Sequence, residues 1–329
     1  MSQSPVNTNA DHILALSGGV GGAKLALGLS KLLTSQQLSI VANTADDFTH
    51  LGLAISPDLD TVMYTLAGLN NQQQGWGLAG ESWNAMAALK TLGAPSWFNL
   101  GDRDLATHLT RSQQLASGDS LSTVTTYLCR QLGLSHAIIP MSDDPVRTRL
   151  QTDQGNLAFQ EYFVREQCRP IISDFYFDGI DQAKPAREFI ELLGSERLKA
   201  IIICPSNPFV SVEPILALPG VRQAMKDSRA PVIAISPIVA GLAIKGPAAK
   251  MMAELNMPAN AAAVAHYYSD LLDGFVLDES DGDLASTISS PQLQVCCTPS
   301  IMNTLEDRIE LASKVLSFAQ QLIDNSNMH

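Results

Sequence analysis

Residues 12–33 read HILALSGGVGGAKLALGLSKLL, and this stretch decides the fold class. An apolar run over residues 12–17 is followed by a glycine-rich turn and then by leucines and alanines at helical spacing, which predicts a strand, a loop and a helix. A second apolar run follows at residues 38–42. Because a helix separates the two runs, we expect two parallel strands joined by a right-handed crossover.

The rest of the chain extends this unit into a larger sheet. Continuous apolar runs at 200–204, 231–236, 274–278 and 293–296 indicate strands that are buried on both faces. The intervening sequence predicts helices at 59–66, 81–92, 104–110 and 120–132, a short strand at 137–140 and alternating strands over 150–180, and a last helix covers 303–323.

These patterns predict an α/β protein with a Rossmann-like, mostly parallel sheet and helices on both faces. We assign residues 12–60 and 196–325 to a core that binds nucleotide or phosphate, and residues 61–195 to an inserted, helix-rich subdomain of mixed α/β structure. Residues 1–11 are polar and are predicted to form a flexible N-terminus.

Composition excludes several classes of protein. The chain has 329 residues, of which 46% are hydrophobic, enough for a large core, and its net charge of -12 disfavours nucleic-acid binding. No apolar run is long enough for a membrane span, and no signal peptide is recognisable, so we expect a cytoplasmic protein. The five cysteines show neither disulfide nor zinc spacing.

The glycine-rich loop is the first candidate site. Gly18, Gly19, Gly21 and Gly22 let backbone amides approach a phosphate at a helix N-terminus, and Lys24 adds a positive charge. The loop matches neither a Walker A motif nor a dinucleotide fingerprint, since no acidic residue ends the second strand. Close packing of the helix on the strand is the alternative explanation.

A cluster of aspartates is the second candidate site. Asp46, Asp47, Asp58 and Asp60 fall near the end of the second strand. Clustered carboxylates beside a phosphate loop suit Mg²⁺, and one of them can act as a general base. Capping of the next helix by Ser56 or Asp58 is the alternative, but it accounts for one aspartate better than for four.

Further polar segments follow predicted strands or open helices. Arg103 and His108 lie within 99–108, where surface ion pairing is the alternative to a ligand contact. Asp143 and Asp144 follow the strand at 137–140, and a loop at 204–208 follows a buried strand and contains Ser206 and Asn207. Loops that converge at the carboxyl ends of parallel strands form a ligand crevice.

An ordered series of motifs resembles one family along nearly the whole chain. The segments are SGGVGGAKLALGL at 17–29, NTADD at 43–47, SPDLDTVMY at 56–64, LGDRDLATH at 100–108, MSDDPV at 141–146, PSNP at 205–208, SPI at 236–238 and GPAAK at 246–250. Together they resemble the 2-phospho-L-lactate transferase (CofD-like) family of coenzyme F-420 biosynthesis.

The resemblance implies a reaction. A guanosine diphospho donor that carries a three-carbon acid gives its phosphoacid group to the terminal ribityl hydroxyl of 7,8-didemethyl-8-hydroxy-5-deazariboflavin, and GMP leaves. It further implies a Mg²⁺ cofactor, a Rossmann-like core and a homodimer, with no nucleic acid or membrane as partner.

The resemblance also suggests roles for individual residues. It implies that Asp46 and Asp60, with Asp58, hold Mg²⁺, and that Asp60 contacts the ribityl hydroxyl as base or orienter. The glycine loop, from Gly18 to Gly22, would bind phosphates or nucleotide. The remaining implied contacts are Arg103 to a phosphate or the carboxylate of the acid, Asn99 to the deazaflavin, Asp143 and Asp144 to guanine, and Ser206 and Asn207 to phosphate or nucleotide.

Two alternatives stay open. The loop reads GGVGGAK, unlike the threonine-containing version of archaeal members, so lactyl, enolpyruvyl and phosphoglyceryl donors are all candidates. A related family of gluconeogenesis regulators shares the glycine loop and an ADD segment, but binds nucleotide-sugars without known transfer chemistry. The SPDLDT and LGDRD segments favour the transferase.

Overall fold

The structure is a computed structural model that describes residues 11–244 and 246–326. The predicted flexible N-terminus, apart from Asp11, lies outside the described residues. Residues 11–140 form five strands and five helices: β1 (His12–Ser17), α1 (Gly19–Leu32), β2 (Leu38–Ala42), β3 (Phe48–His50), β4 (Leu53–Ile55), α2 (Pro57–Leu66), α3 (Asn84–Thr91), α4 (Asp104–Ala116), α5 (Leu121–Gln131) and β5 (Ala137–Pro140).

The middle of the chain forms a small antiparallel sheet, ordered β7-β6-β8, and then returns to the main sheet. Its elements are β6 (Arg147–Thr152), β7 (Gly155–Ala158), a π-helical turn (Glu161–Arg165), β8 (Ile172–Asp178), α6 (Arg187–Leu193), β9 (Leu198–Ile203), a second π-helical turn (Pro208–Val212), α7 (Glu213–Leu216), α8 (Val221–Asp227) and β10 (Val232–Ile235).

The last part contributes a two-stranded hairpin, two more strands of the main sheet and the C-terminal helix. The elements are β11 (Ile238–Val239), β12 (Leu242–Ala243), α9 (Ala248–Glu254), α10 (Ala261–Tyr267), β13 (Gly274–Leu277), a 3₁₀ turn (Glu279–Leu284), α11 (Ala285–Ile288), β14 (Gln294–Cys297) and α12 (Leu305–Ser326).

The central sheet has seven strands in the order β14-β13-β10-β9-β1-β2-β5, and every neighbouring pair is parallel. Strand β1 lies between β2 and β9, with Ala15 opposite both Ile40 and Ile202. After β1, the chain adds β2 and then β5 on one side of β1. The later strands β9, β10, β13 and β14 are added on its other side. Such a reversal opens a crevice at the carboxyl ends of the strands, here between β1 and β9.

The predicted α/β fold class is confirmed, because the central sheet is parallel and has a core on each of its two faces. The side chains of β1 alternate between these two cores. Ile13 and Ala15 face a core formed with α1, α2 and α12, whereas Leu14 and Leu16 face a core formed with the small sheet and the helices from α6 to α10. The sheet is therefore covered on both faces, as continuous apolar strands require.

Several boundaries differ from those predicted. Strand β5 lies within the segment 61–195 that was assigned to the insertion, yet it pairs with β2 as the edge strand of the central sheet. Helix α4 continues to Ala116, well beyond residue 110, because it buries Arg111. Helix α12 begins at Leu305, since the amides of Asn303 and Thr304 donate to Asp307 before the helix starts.

The contact between α1 and α12 depends on a glycine in the middle of α1. A Cβ atom at Gly28 would lie 2.1 Å from the Arg308 carbonyl oxygen and 3.2 Å from the Ala312 Cβ. Glycine costs helix stability relative to alanine, so its presence here reflects the close approach of two helix backbones.

We expect Gly28→Ala to destabilise the protein by about 2 kcal/mol. Overpacking against a backbone carbonyl costs about 3 kcal/mol, and the better helix propensity of alanine offsets about 1 kcal/mol of it. Urea unfolding measures the change. Gly282→Ala is the matched control, because no atom lies within 4 Å of the added methyl group. Equal unfolding midpoints for the two variants would contradict the close approach of α1 and α12.

Candidate functional site

A cleft of about 360 Å³ opens at the carboxyl end of the central sheet. The start of α1 and the loop that follows β9 line part of it, and Asp46 and Asp58 form an acidic wall next to the start of α1. Aromatic side chains from three segments line other parts of the cleft: Trp76, Phe98, Phe159 and Phe163. The crevice that the strand order predicts is thus present and has polar and apolar walls.

The glycine loop interlocks with the loop after β9. The Gly18 amide donates to Ser206 Oγ at 3.2 Å, and a Cβ at Gly21 would lie 2.2 Å from the Pro205 carbonyl oxygen. A Cβ at Gly22 would lie 2.5 Å from Ser17 Oγ and 2.6 Å from Ser206 Oγ. Close packing, the alternative explanation for these glycines, therefore accounts for Gly21 and Gly22.

The same loop also presents a helix N-terminus to the cleft. Helix α1 begins at Gly19, and Gly18, Gly19 and Gly21 all line the cleft. The first amides of a helix have no acceptor within the helix and attract anions. Packing and phosphate binding are thus compatible here, because the same glycines that pack against the loop after β9 also line the cleft.

Asn43 organises the acidic wall. Its Nδ2 donates to Asp58 Oδ2 at 3.0 Å and to the Val210 carbonyl oxygen at 3.1 Å, and its Oδ1 accepts from the Ala45 amide at 2.9 Å. Asp58 Oδ1 accepts the Gly19 amide at 2.8 Å. Asp58 therefore joins α2 to the start of α1, at the edge of the cleft.

The two acids of this wall carry perturbed pKa values. Burial raises the pKa of Asp58 to about 6, although hydrogen bonds from Asn43 and Gly19 oppose the shift. Burial and then the charge of Asp58 raise the pKa of Asp46 well above its usual range. Asp46 Oδ1 is buried and has no hydrogen-bond partner. Two buried carboxyls that repel each other form a site where a cation would be stabilised.

The Asp60 side chain does not line the cleft. It forms a buried ion pair with Arg111 of α4, and His108 Nδ1 lies 3.7 Å from its Oδ2. Asp47 accepts the Ser56 hydroxyl at 2.7 Å, and burial raises the pKa of Asp47 to about 7. Neither acid lines the cleft. Of the three predicted metal ligands, the structure brings Asp46 and Asp58 together at the cleft and pairs Asp60 with an arginine.

Carboxylates in and near the LGDRD segment accept hydrogen bonds from the first amides of α3 and α4. Asp102 accepts the amides of Asn84 and Ala85 at 3.0 and 2.9 Å, at the start of α3. Glu81 accepts the amides of Arg103 and Asp104, both at 2.8 Å, at the start of α4. These hydrogen bonds satisfy amides that lack a partner inside the helix.

Side chains of the same segment fix α4 to its neighbours. The Arg103 guanidinium is exposed, lies outside the cleft lining and donates to the Ala79 carbonyl oxygen at 2.7 Å. The Tyr64 hydroxyl donates to Asp104 Oδ1 at 2.6 Å, and His108 Nε2 lies 3.3 Å from Asp104 Oδ2. Although burial opposes it, the interaction with His108 leaves the pKa of Asp104 lowered.

The remaining predicted residues divide between the cleft and structural positions. Asn99, Ser206, Asn207 and Lys24 line the cleft. Lys24 Nζ also donates to the Met302 carbonyl oxygen at 2.6 Å, and Asn207 Oδ1 accepts the Phe209 amide at 3.0 Å.

Asp143 and Asp144, the residues predicted to contact guanine, lie outside the cleft lining. Asp143 accepts the Ser122 amide at 2.7 Å, next to the N-terminus of α5, and Asp144 accepts the Lys184 amide at 2.9 Å. Both carboxylates therefore already accept backbone hydrogen bonds, and their guanine-binding role stays a prediction.

Sequence reasoning missed several residues around the site. Asn43 was visible as the first residue of NTADD, directly after β2, but it was not assigned a role. Arg111 gave no signal, because a buried arginine is rare and its partner Asp60 is 51 residues away in sequence. The aromatic residues of the cleft come from helix-free segments and a π-helical turn, where periodicity is uninformative.

Neither a grouped metal site nor a membrane-spanning helix is present in the described part of the chain. Within residues 11–244 and 246–326, no three His, Cys, Asp or Glu side chains are grouped so as to hold a metal ion. Over the same ranges, no helix has both the length and the apolar character needed to cross a membrane.

Comparisons with known proteins give a consistent result. A family model described as 2-phospho-L-lactate transferase CofD matches residues 13–314. The chain is 41% identical to a phosphoenolpyruvate transferase of Kitasatospora aureofaciens, covering 94% of this chain and 98% of that protein. It is 36% identical to a 2-phospho-L-lactate transferase of Methanosarcina acetivorans, covering 95% and 99%.

Among solved structures, the chain resembles a UPF0052 family member from Bacillus halodurans. The TM-score is 0.60 at 13% sequence identity, over 93% of this chain and 99% of that one. At this identity the likeness concerns the fold alone.

The buried ion pair between Asp60 and Arg111 yields a stability prediction. Arg111→Met leaves the Asp60 carboxylate buried without its partner, and we expect a loss of about 3–5 kcal/mol in the free energy of unfolding. Adding Asp60→Asn to this variant removes the stranded charge and should recover at least about 1 kcal/mol. Urea unfolding of the single and double variants measures both effects.

The exposed pair of Arg187 and Glu191 is the matched control, since both side chains are more than half exposed. Arg187→Met should change stability by less than about 1 kcal/mol. If Arg111→Met is no more destabilising than Arg187→Met, the structural role of the buried pair is refuted.

Proposed function

Because the chain belongs to the 2-phospho-L-lactate transferase (CofD) family, we propose that it transfers a three-carbon phosphoacid from a guanosine diphospho donor to the ribityl hydroxyl of the deazaflavin precursor of coenzyme F-420. The hydroxyl oxygen forms a bond to the phosphorus that carries the acid. The bond from that phosphorus to the bridging oxygen breaks, GMP leaves with the bonding pair, and the hydroxyl proton passes to solvent.

The observation that carries this proposal is the meeting of a helix N-terminus and a carboxylate pair in one cleft. The first turn of α1 and the side chains of Ser206 and Asn207 supply hydrogen-bond donors along one wall, where the diphosphate of the donor would bind. Asp46 and Asp58 line the same cleft, next to this turn. A phosphoryl-transfer site needs both donors for phosphate oxygens and a means of neutralising charge.

The residues fit a bound Mg²⁺. Asp46 and Asp58 are buried and mutually repulsive, and Asp46 Oδ1 is unpartnered. Magnesium is commonly held by one or two carboxylates together with substrate phosphates, so a third protein ligand is not required. When bound, the ion would neutralise the charge that develops on the diphosphate.

The aromatic part of the cleft suits the acceptor. Trp76, Phe98 and Phe163 give flat, apolar surfaces against which a deazaflavin ring can stack, and Asn99 beside Phe98 offers an amide for its polar edge. Both oxygens of Asp60 face Arg111. We therefore assign Asp60 to holding α2, which brings Asp58 into the cleft, in preference to the role of base for the ribityl hydroxyl.

The sequence identities to the named relatives also suggest which donor to test first. Relatives named phosphoenolpyruvate transferase reach 41% identity, against 37% for relatives named 2-phospho-L-lactate transferase. We propose enolpyruvyl-diphosphoguanosine as the first donor to test, with the lactyl and phosphoglyceryl donors beside it. The homodimer and the contact of Asn99 with the deazaflavin are part of the same proposal.

The decisive experiment incubates the purified protein with Mg²⁺, the deazaflavin acceptor and each donor separately. We expect a deazaflavin phosphodiester and an equal amount of GMP, both followed by liquid chromatography and mass spectrometry, with the enolpyruvyl donor giving the highest kcat/KM. Absence of product with every donor, together with tight binding of a nucleotide-sugar, would instead support the binding regulator.

Asp46→Asn tests the carboxylate pair. We expect kcat to fall by about 100-fold, since a charge that acts on the transferring phosphoryl group is removed. The variant should also lose the rise in unfolding temperature that Mg²⁺ and GDP give the wild-type protein. Glu310→Gln, on the exposed side of α12, is the control. Wild-type turnover in Asp46→Asn would remove Asp46 from the mechanism.

A further inference from the structure

Thr148 lies beside the acidic wall, although it belongs to the small sheet. Its backbone amide donates to the Ala45 carbonyl oxygen at 2.7 Å, which ties the start of β6 to the segment that follows β2. Because Asp46 is the next residue after Ala45, this hydrogen bond holds Thr148 close to the backbone of Asp46.

The Thr148 hydroxyl occupies an unusual position. Along this part of β6 the buried side chains are Val146, Thr148 and Leu150, so the hydroxyl stands on an otherwise apolar face. Thr148 is 2% exposed, and its Oγ1 has no hydrogen-bond partner of ordinary geometry. An unsatisfied buried hydroxyl lowers the free energy of unfolding by about 1–3 kcal/mol. A hydroxyl kept in such a position therefore indicates a ligand or a functional role.

The Asp46 carboxyl is a polar group that this hydroxyl can serve. Asp46 Oδ1 is itself buried and unpartnered. Burial and the charge of Asp58 raise the pKa of Asp46, and a hydrogen bond from the Thr148 hydroxyl opposes this rise. Threonine is branched at Cβ and has few rotamers, so its hydroxyl is held ready at little entropic cost.

We infer that Thr148 is a positioning residue that donates its hydroxyl to one oxygen of Asp46 and leaves the other oxygen to face the cation of the bound donor. The inference rests on the proposed function, because it presumes a cation at Asp46 and Asp58. A hydrogen bond from a neighbouring residue to a ligating carboxylate fixes its orientation, and losing such a bond lowers metal affinity by 10- to 100-fold in general.

The competing explanation is a threonine that merely packs in a strand, where branched residues are common. It predicts that Thr148→Val changes nothing at the cation site. The positioning role predicts that the valine variant, which keeps the shape and loses the hydroxyl, binds Mg²⁺ more weakly while its fold remains at least as stable.

The test is isothermal titration calorimetry of Mg²⁺ into the full chain saturated with GDP, with urea unfolding alongside. We expect Thr148→Val to weaken Mg²⁺ binding by about tenfold. Thr148→Ser, which restores the hydroxyl, should stay within about threefold of the wild type. Thr125→Val makes the same change at a buried threonine of α5 outside the cleft and should leave the affinity unaltered.

The outcomes separate this inference from the proposed function. Wild-type affinity in Thr148→Val, or failure of Thr148→Ser to restore binding, overturns the positioning role while transferase activity of the wild type stands. If wild-type protein binds no Mg²⁺ in the presence of GDP and transfers no group, both are overturned. Should Thr148→Val fail to fold, the comparison of Thr148→Ala with Thr148→Ser replaces it, with the same tenfold difference expected.

Discussion

The close approach of two loops at the centre of the sheet is the constraint on which the structure depends. Strands β1 and β9 are neighbours, and the loops that leave them share one space at the carboxyl edge. A side chain at Gly21 would collide with the Pro205 carbonyl oxygen, and one at Gly22 would collide with two serine hydroxyls. Only glycine allows α1 to start this close to the neighbouring loop, so the cleft exists because of these contacts.

The same approach determines the electrostatics of the cleft. With α1 seated against the loop after β9, its first turn faces Asp58 of α2, which accepts the Gly19 amide. Asp58 thereby partly neutralises the helix end in the absence of a ligand. In the proposed function, a phosphate at α1 and a cation at Asp46 and Asp58 would satisfy both groups together, and this would link binding of the donor to binding of the metal.

Outside these two loops, a second group of polar residues holds helices α2, α3 and α4 in position. Glu81 and Asp102 satisfy the first amides of α4 and α3, and Asp60 pairs with Arg111 between α2 and α4. Of these acids, sequence reasoning assigned a chemical role to Asp60 alone, as a metal ligand and base. The structure shows that several of them hold helix ends, a task for which carboxylates are equally suited.

The sequence by itself determined the strands of the central sheet, the order of the loops and the family of transferases, but not the two short hairpins β3–β4 and β11–β12. Apolar runs are short-range properties, so the bounds of β1 and β2 were predictable, whereas α1 begins at Gly19, inside the predicted glycine turn. The motif series also indicated the family. It could not separate Asp46 and Asp58 from Asp60, since all three lie within fifteen residues and have the same side chain.

Tertiary structure alone decided which carboxylates reach the cleft. Arg111 and Thr148 come from distant segments, and their positions beside Asp60 and Asp46 follow from how α4 and β6 pack on the sheet. The same holds for β5, which sequence reasoning placed in an insertion and hydrogen bonding places in the main sheet. Burial, partner and pKa arise from contacts between residues far apart in the chain, and no local pattern encodes them.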